Sequence, residues 1–577
     1  MAKAIFACYK KSQFIDFEKF GLMVSKELAP DNAAVSDPYI SYDDKTFTLI
    51  YNPSSTLKTE GHSFRLGLCK DKDDLFVPGT ALPKGSFALF RVTPDEVEIA
   101  TDYASSRTMW YYEDENVFMA STSQRLIISL LGDFQFNEKA CGWFLSSGTL
   151  GPGHSWDKRL KMVLPRTAIS VDRKAWKVSL KHNDNYNFED GTSNIKTAEE
   201  YKIQLENDVT SAVEELNIDP SEWTLALSGG MDSRGILHHL KDEKLKAVTW
   251  GLKKSMNYSD SDATIGKKLA AICSMDHHYA EMDYQEDSFP ILIDRFLKAS
   301  EGRIDHLAAY FDALNLWGDL SASGRGVIRG YDAFGRKPPV TNEYQVRRTC
   351  NLSISNFDDV EGLPQKYYIT RDDIPERLRQ KEGENLGDWR DRLWLQHRTP
   401  VTTASLEDIK LAYVEVINPL LSEQVVRTVQ NLPLELRNNK KVWFNIVNET
   451  FPGVPFANRE AVQEVHQILM LDDVTKYICK SLESMKENEI FPPEYIEFLV
   501  ENYTKNETKE DLRRRVRRLV KAYLPKSLEN FVRANIGIDP MSVHWLATRS
   551  LMAIKINEMY NSNARVLSSV ENVQSLA

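Results

Sequence analysis

The chain has 577 residues, a formal net charge of −11 and a hydrophobic fraction of 42%. These values are typical of a globular protein of roughly two to four domains, and they argue against a general nucleic-acid-binding protein. The sequence contains neither a signal-peptide core nor a stretch of about 18 apolar residues, so we predict a cytoplasmic protein without a membrane span. Its six cysteines are scattered without a CxxC pair, which favours buried thiols over a zinc site or a disulfide framework.

The first third of the chain alternates short runs of β-branched and aromatic residues with turn-forming residues. Two further segments, "DFEKFGLMVSKEL" and "NEKACGWFLSSG", have helical apolar spacing. We therefore predict an α+β domain with antiparallel sheets over residues 1–190. The predicted strands are "TFTLIYN", "SFALFRVT", "EVEIATD", "MWYYEDENVFMAS" and "TAISVDRKAWKVSLKH".

A polar segment near residue 190 marks a predicted domain boundary, after which strands and helices alternate. Strands are predicted at "TLALS", "KAVTWGL" and "HHYAEMD", with helices at "GILHHLKD", "DATIGKKLAAICS" and "SFPILIDRFLKAS". This alternation favours βαβ units and a parallel sheet, so the overall fold class is α/β. We assign this second domain to residues 191–470 and a helical C-terminal extension to residues 471–577.

The string "SGGMDS", residues 228–233, follows the first of these strands and opens a helix. Glycines at such a turn let backbone amides approach a phosphate, and the helix N-terminus favours negative charge. Ser228 and Ser233 add hydroxyl donors, while Asp232 is suited to holding Mg²⁺ beside the phosphates. The string lacks the lysine of a Walker A loop. We therefore predict a site for a polyphosphate with Mg²⁺.

The same six residues resemble the SGGxDS pyrophosphate loop of the N-type ATP pyrophosphatases, and the surrounding segments resemble the asparagine synthetase family. The resemblance covers roughly residues 1–190 and 215–465. It implies an antiparallel sandwich like an N-terminal-nucleophile glutaminase, followed by a parallel-sheet ATP pyrophosphatase domain. It also implies ATP and Mg²⁺ as cofactors, with nucleotide contacts from the residues Leu227, Ser228, Gly229, Gly230, Met231, Asp232, Ser233, Val248, Trp250, Gly251 and Gly330.

A glutaminase of this class uses a cysteine exposed at the N-terminus, whereas Met1 is followed here by Ala2. The nearest thiol, Cys8, lies inside the predicted first strand, so we expect the N-terminal domain to be inactive. The loss of that cysteine resembles the β-lactam and carbapenam synthetases and the lasso-peptide cyclases. Those enzymes adenylate a carboxylate and let an amine of the substrate close the amide.

Resemblance to that branch implies roles for residues in the strings "GVIRGYDAFGR" and "AYVEVINPLL". Tyr331, polarised by Glu415, would relay a proton from the attacking amine. Asp332 would bind Mg²⁺ opposite Asp232.

The family's C-terminal Arg-x-Lys pair is incomplete in this chain. Arg459 is followed by Glu460 and Ala461, so the lysine that stabilises the developing pyrophosphate is absent. Arg459, Lys440 and Lys441 are the candidate replacements. Arg234 stands where the family commonly has a second serine.

We therefore expect an ATP- and Mg²⁺-dependent ligase that adenylates a small-molecule or peptide carboxylate and forms an amide with an amine, releasing AMP and PPi. Three alternatives stay open: an enzyme using ammonia, adenylation of a nucleobase or other non-peptide substrate, and a degenerate nucleotide-binding scaffold. A basic amphipathic helix predicted at residues 510–527 is a candidate docking site for an acidic partner. The sequence identifies neither the two substrates nor the oligomeric state.

Overall fold

The computed structural model describes residues 3–70, 73–182, 197–241, 243–307, 313–330, 339–505 and 542–574. The boundary predicted near residue 190 and the basic helix predicted at 510–527 lie outside these ranges. Within the described residues the chain forms two antiparallel sheets, one parallel sheet and many helices, so the predicted α/β class with both kinds of sheet is confirmed.

The N-terminal part is a sandwich of two antiparallel sheets, each with six strands in the described residues. The first sheet has the order β10-β8-β9-β1-β3-β2, and the second has the order β12-β11-β7-β6-β5-β4. The strands are β1 Lys3–Tyr9, β2 Tyr39–Tyr42, β3 Thr46–Tyr51, β4 Lys58–Glu60, β5 Ser63–Cys69, β6 Gly85–Val92, β7 Glu96–Thr101, β8 Met109–Glu113, β9 Val117–Ser121, β10 Lys161–Val163, β11 Thr167–Asp172 and β12 Lys177–His182.

Alternation of side chains along these strands builds the core between the two sheets. Phe6 and Cys8 of β1 face inward from the first sheet, and Phe64 and Phe90 meet them from the second. The rings of Phe64 and Phe90 stack with centroids 4.1 Å apart on neighbouring strands β5 and β6. The outer face of the first sheet is covered by the helices α1 Phe17–Leu28, α2 Gln124–Leu131 and α3 Glu138–Ser147.

The second part is built on a parallel sheet with the order β15-β14-β13-β16-β17. Its strands are β13 Trp223–Ala226, β14 Lys246–Gly251, β15 His277–Glu281, β16 Gly326–Arg329 and β17 Val416–Ile417. Each neighbouring pair is parallel, as the alternation of strands and helices predicts. The chain runs outward from β13 to β15 and then returns to place β16 on the other side of β13. The strand order therefore reverses between β13 and β16.

Helices cover both faces of the parallel sheet and continue to the C-terminal part of the chain. A π-helix at Trp394–Thr403 connects two of them. The α-helices are α4 Ala198–Glu214, α5 Met231–Leu240, α6 Asp262–Ile272, α7 Phe289–Ser300, α8 Ala313–Ala322, α9 Glu343–Thr349, α10 Leu386–Leu393, α11 Ala404–Leu411, α12 Glu423–Gln430, α13 Leu434–Arg437, α14 Lys441–Thr450, α15 Val465–Leu469, α16 Asp472–Ser484, α17 Pro493–Lys505 and α18 Val543–Gln574.

The C-terminal helix α18 packs against α1 and α2 of the N-terminal sandwich. Asn563 of α18 accepts a hydrogen bond of 2.8 Å from the buried Arg125 of α2. Tyr560 donates to the carbonyl of Glu301, at the end of α7. The last helix therefore contacts both the sandwich and the second part of the chain. Among the described helices, none combines the length and apolar character that crossing a membrane requires.

Candidate functional site

The loop after β13 lies at the point where the strand order of the parallel sheet reverses. Ala226 of β13 is in register with Arg329 of β16, so the residues that follow both strands leave the same edge of the sheet. In open α/β sheets, ligands bind in the crevice outside the carboxyl ends of the strands at this reversal. The fold therefore brings "SGGMDS" and Gly330, which the sequence predicts as one site, to the same crevice.

Hydrogen bonds among its serines hold this loop in a compact turn. Ser233 Oγ lies 3.0 Å from Ser228 Oγ and accepts from the Ser228 amide at 3.1 Å. Ser228 Oγ in turn accepts from the Gly230 amide at 3.1 Å. Gly230 is the N-cap of α5 and brings no side-chain acceptor, so the amides of the first turn of α5 can receive an anion.

Two glycines are required here because backbone lies against Gly330 and side chains lie against Gly229. A Cβ on Gly330 would lie 2.4 Å from the carbonyl carbon of Asp232 and 2.6 Å from the amide nitrogen of Ser233. A Cβ on Gly229 would lie 2.7 Å from the Cβ of Ala457. The loop after β16 and the segment around Ala457 therefore form two walls in direct contact with the predicted phosphate loop.

Asp232 is held by a lysine from the start of α14. Lys440 Nζ lies 2.8 and 2.6 Å from the two carboxylate oxygens of Asp232. Trp443 Nε1 donates to the same carboxylate at 3.2 Å. The ring of Trp443 fills the space beside Gly235 of α5, where an added Cβ would lie 2.1 Å from it. Two helix N-termini, those of α5 and α14, therefore meet at Asp232.

The hydrogen bonds that Asp232 accepts determine whether its carboxylate can also bind Mg²⁺. Both carboxylate oxygens already accept hydrogen bonds from Lys440, and Oδ1 also accepts one from Trp443. A Mg²⁺ ion binds oxygen at about 2.0–2.1 Å and excludes an ammonium from the same face of the carboxylate. Mg²⁺ therefore does not fit at Asp232 as the side chains stand, and Asp332 lies outside the described residues.

Of the three candidate replacements for the missing lysine, Lys440 is the one that contacts the loop. Arg459 lies over the ring of Tyr258, 4.0 Å from its centroid, and its Nε is 3.6 Å from Asp260. Lys441 is exposed at the first position of α14. The carbonyl of Ala461 accepts from the Leu252 amide at 2.8 Å, so Ala461 borders the end of β14.

Three of the predicted nucleotide-contact residues, Val248, Trp250 and Gly251, lie in the carboxyl half of β14, beside the loop. Val248 is buried, and its carbonyl accepts from the Leu227 amide at 2.9 Å. A Cβ on Gly251 would lie 2.5 Å from the Cβ of Ala461. The ring of Trp250 packs edge-on against Trp317, and Met231 is the first, half-buried residue of α5.

Glu415 lies where the strands of the parallel sheet begin, whereas the loop lies where they end. It precedes β17 and its carbonyl accepts from Val327, so it is level with the beginning of β16. Gly330, four residues farther along, is about 13 Å away along the strand direction. The Glu415 carboxylate is buried against Arg107 of the sandwich and accepts from Ser54 Oγ at 3.3 Å. The structure thus does not bring Glu415 to the Gly330 end, and Tyr331 lies outside the described residues.

Arg234 connects the loop to the segment that follows α14. Its guanidinium donates to the carbonyls of Val454 at 2.8 Å and Pro455 at 2.7 Å, and to that of Gly229 at 3.4 Å. It also lies 4.1 Å from the ring centroid of Phe456. Arg234 is completely buried, and burial lowers the pKa of its guanidinium. A serine cannot make these contacts, which explains the arginine at this position of the loop.

We expect Arg234→Met to lower the free energy of unfolding by about 1–3 kcal/mol, because buried carbonyl groups lose their donor. If the loop binds ATP, as the sequence predicts, the variant should also bind it more weakly, since the loop loses its attachment to residues 454–456. Urea denaturation and calorimetric titration measure the two effects. Arg459→Met is the control for stability, because Arg459 is exposed and its ion pair is long. An Arg234→Met variant as stable as the wild type would contradict this role.

A buried charge cluster that the sequence analysis missed lies beside the carboxyl end of β16. Arg329 donates to Glu407 Oε1 at 2.6 Å, and Lys410 Nζ lies 3.3 Å from the same oxygen. Burial, with Arg329 adding to it, lowers the pKa of Lys410 to about 7. Glu407 lines a cavity of about 20 Å³ together with Thr403 and Ser105, and its Oε2 has no hydrogen-bond partner among the described residues. A water fits in that volume. The signal in the sequence was the group of three charged residues Glu407, Asp408 and Lys410 in the short helix "ASLEDIKL".

Cys8 lies in the middle of the sandwich core rather than at an accessible end of the chain. It is completely buried between the two sheets. Burial raises the pKa of its thiol to about 12. The thiol therefore stays protonated at neutral pH, and a protonated thiol is a poor nucleophile.

Neither a protein-family model nor a curated protein matches the chain. Among solved structures, it is similar to NMN synthetase from Francisella tularensis, with 15% identity over 38% of this chain and 94% of that chain and a TM-score of 0.17. It is also similar to the allosteric regulatory enzyme of purine biosynthesis, with 8% identity over 48% of this chain and 80% of that chain and a TM-score of 0.21. Glutamine phosphoribosylpyrophosphate (PRPP) amidotransferase from B. subtilis, complexed with ADP and GMP, gives 8% identity, the same coverage and a TM-score of 0.19. All three are enzymes, but likenesses of this size establish neither a family nor an activity for this chain.

Proposed function

We propose that the chain is an ATP-dependent, AMP-forming ligase that adenylates a substrate carboxylate and joins it to an amine. The observation that carries the proposal is the Ser-Gly-Gly loop at the reversal of the parallel sheet, with Gly330 packed against its far side. A loop of this composition, opening a helix without a capping side chain, suits a polyphosphate.

In this proposal, backbone amides and one lysine bind the phosphates of ATP. The amides of the loop and of the first turn of α5 bind the phosphates, and Lys440 supplies positive charge beside them. A carboxylate oxygen of the substrate attacks the α-phosphorus, and pyrophosphate leaves. An amine then attacks the acyl carbon, loses a proton and displaces AMP. Because the Cys8 thiol is buried and protonated, the amine belongs to a substrate and is not ammonia released from glutamine at that thiol.

The test is ATP–pyrophosphate exchange measured with a panel of carboxylates. We expect exchange that depends on one class of carboxylate, and amide formation when an amine is added. Glutamine is included as a nitrogen source, with Cys8→Ala as the matched variant. Turnover with glutamine that Cys8→Ala abolishes would contradict the assignment of the amine.

A nucleotide-binding protein without ligase activity is the second candidate, because Lys440 pairs with the acid of the loop and Ala461 replaces the family's lysine. This candidate predicts ATP binding without exchange for any carboxylate.

A further inference from the structure

The contact between Lys440 and Asp232 is built into the fold. The Lys440 side chain is 10% exposed and that of Asp232 is 17% exposed, so the pair is largely removed from water. Trp443 lies three residues after Lys440 and packs against Gly235, which fixes the start of α14 against α5. A flexible surface lysine would have none of these restraints.

The backbone at Lys440 is also strained. Asn439 has φ 55° and Lys440 has φ 53°, so two consecutive residues other than glycine adopt the left-handed conformation. This conformation is disfavoured for residues other than glycine, and more strongly for a lysine than for an asparagine. Such strain persists where the surrounding structure fixes it, often at a functional site. Here it turns the chain so that the lysine at the N-cap of α14 reaches Asp232.

From this geometry we infer that Lys440 is the resident cation of the phosphate site and takes the place of a divalent metal at Asp232. The inference rests on the proposed function and adds which cation the site uses to bind the phosphates. Lys440 neutralises Asp232 until a polyphosphate reaches the N-terminus of α5. The ammonium then transfers its hydrogen bonds from the carboxylate to the phosphate oxygens. Polyphosphate therefore binds without a divalent cation, and a divalent cation competes with Lys440 for Asp232.

Calorimetric titration of ATP into the full chain, in EDTA and in Mg²⁺, tests this assignment. The wild type should bind ATP in EDTA. Lys440→Met should weaken that binding about 10- to 100-fold, because a charged hydrogen bond to phosphate is lost. Lys268→Met, on the exposed face of α6, removes the same charge and should leave the affinity unchanged.

Asp232→Asn is expected to change the affinity for ATP in opposite directions, depending on whether Lys440 or a metal is the cation at Asp232. If Lys440 is the cation, removing the carboxylate releases the lysine and a repelling charge, and ATP binding in EDTA tightens about 3- to 10-fold. If Asp232 holds a metal, the same substitution removes a metal ligand and instead weakens ATP binding in Mg²⁺. This arm does not depend on the folding of the Lys440 variant.

Inorganic pyrophosphate, titrated in EDTA, separates failure of this inference from failure of the proposed function. One outcome is that Lys440→Met weakens pyrophosphate binding while no carboxylate supports exchange. This outcome overturns the proposed ligase activity and supports Lys440 as the cation of the phosphate site. If the wild type binds ATP only in the presence of Mg²⁺, the role of Lys440 as the cation is overturned, and the proposed ligase activity is not. Absence of binding by both ATP and pyrophosphate overturns both.

Discussion

Gly330→Ala is expected to abolish ATP–pyrophosphate exchange and to lower the free energy of unfolding by about 1–3 kcal/mol, the cost of overpacking. The added methyl group would lie 2.4–2.6 Å from backbone atoms of Asp232 and Ser233. Backbone cannot yield as a flexible side chain does, so the first turn of α5 must move away from β16. That movement displaces the amides that would bind phosphate.

Gly230→Ala is the matched control for stability. Within the described part of the chain its Cβ would meet only Ser228 Oγ, at 3.2 Å, and its φ of −77° is accessible to alanine. We expect the free energy of unfolding to change by less than about 1 kcal/mol. Exchange assays and urea denaturation of both variants check the pair. A Gly330→Ala variant with wild-type exchange would show that the contact between the two loops is dispensable.

Local patterns in the sequence were sufficient to predict the framework of the site. Alternating apolar runs predict the antiparallel strands, and the βαβ alternation predicts the parallel sheet that the structure confirms. Because "SGGMDS" lies between a strand and a helix, its place at a carboxyl edge follows from the same alternation. These features depend on residues close together in sequence, where periodicity and turn chemistry are informative.

The partners of the charged residues could not be predicted in the same way. Lys440 and Asp232 are 208 residues apart, and Arg107 and Glu415 are 308 residues apart. Arg234 acts through carbonyl oxygens, which every residue carries and no sequence pattern marks. Such contacts depend on how distant elements pack, so a lysine near the right motif cannot be distinguished beforehand from its neighbour. The structure places Lys440 at the loop and leaves Lys441 exposed.

Glu415→Gln should lower the free energy of unfolding by about 3–5 kcal/mol, because it removes the carboxylate charge that pairs with the buried Arg107 guanidinium. The side chains of Arg107 and Glu415 are only 3% and 4% exposed. They join the sandwich to the edge strand β17 of the parallel sheet. Exchanging both partners together, as Arg107→Met with Glu415→Leu, removes the unpaired charge and should recover most of the lost stability. Urea denaturation of the single and double variants measures this coupling.

The same substitution distinguishes a structural Glu415 from the proton relay that the family resemblance implies. A relay that acts on the amine predicts normal stability and normal ATP–pyrophosphate exchange, with amide formation lost. The buried pair predicts reduced stability, with exchange and amide formation declining together as folded protein is lost. In the double variant, a relay stays inactive, whereas a purely structural pair regains activity along with stability. Because Glu415 lies at the amino edge of the sheet and the loop at the carboxyl edge, we expect the second pattern.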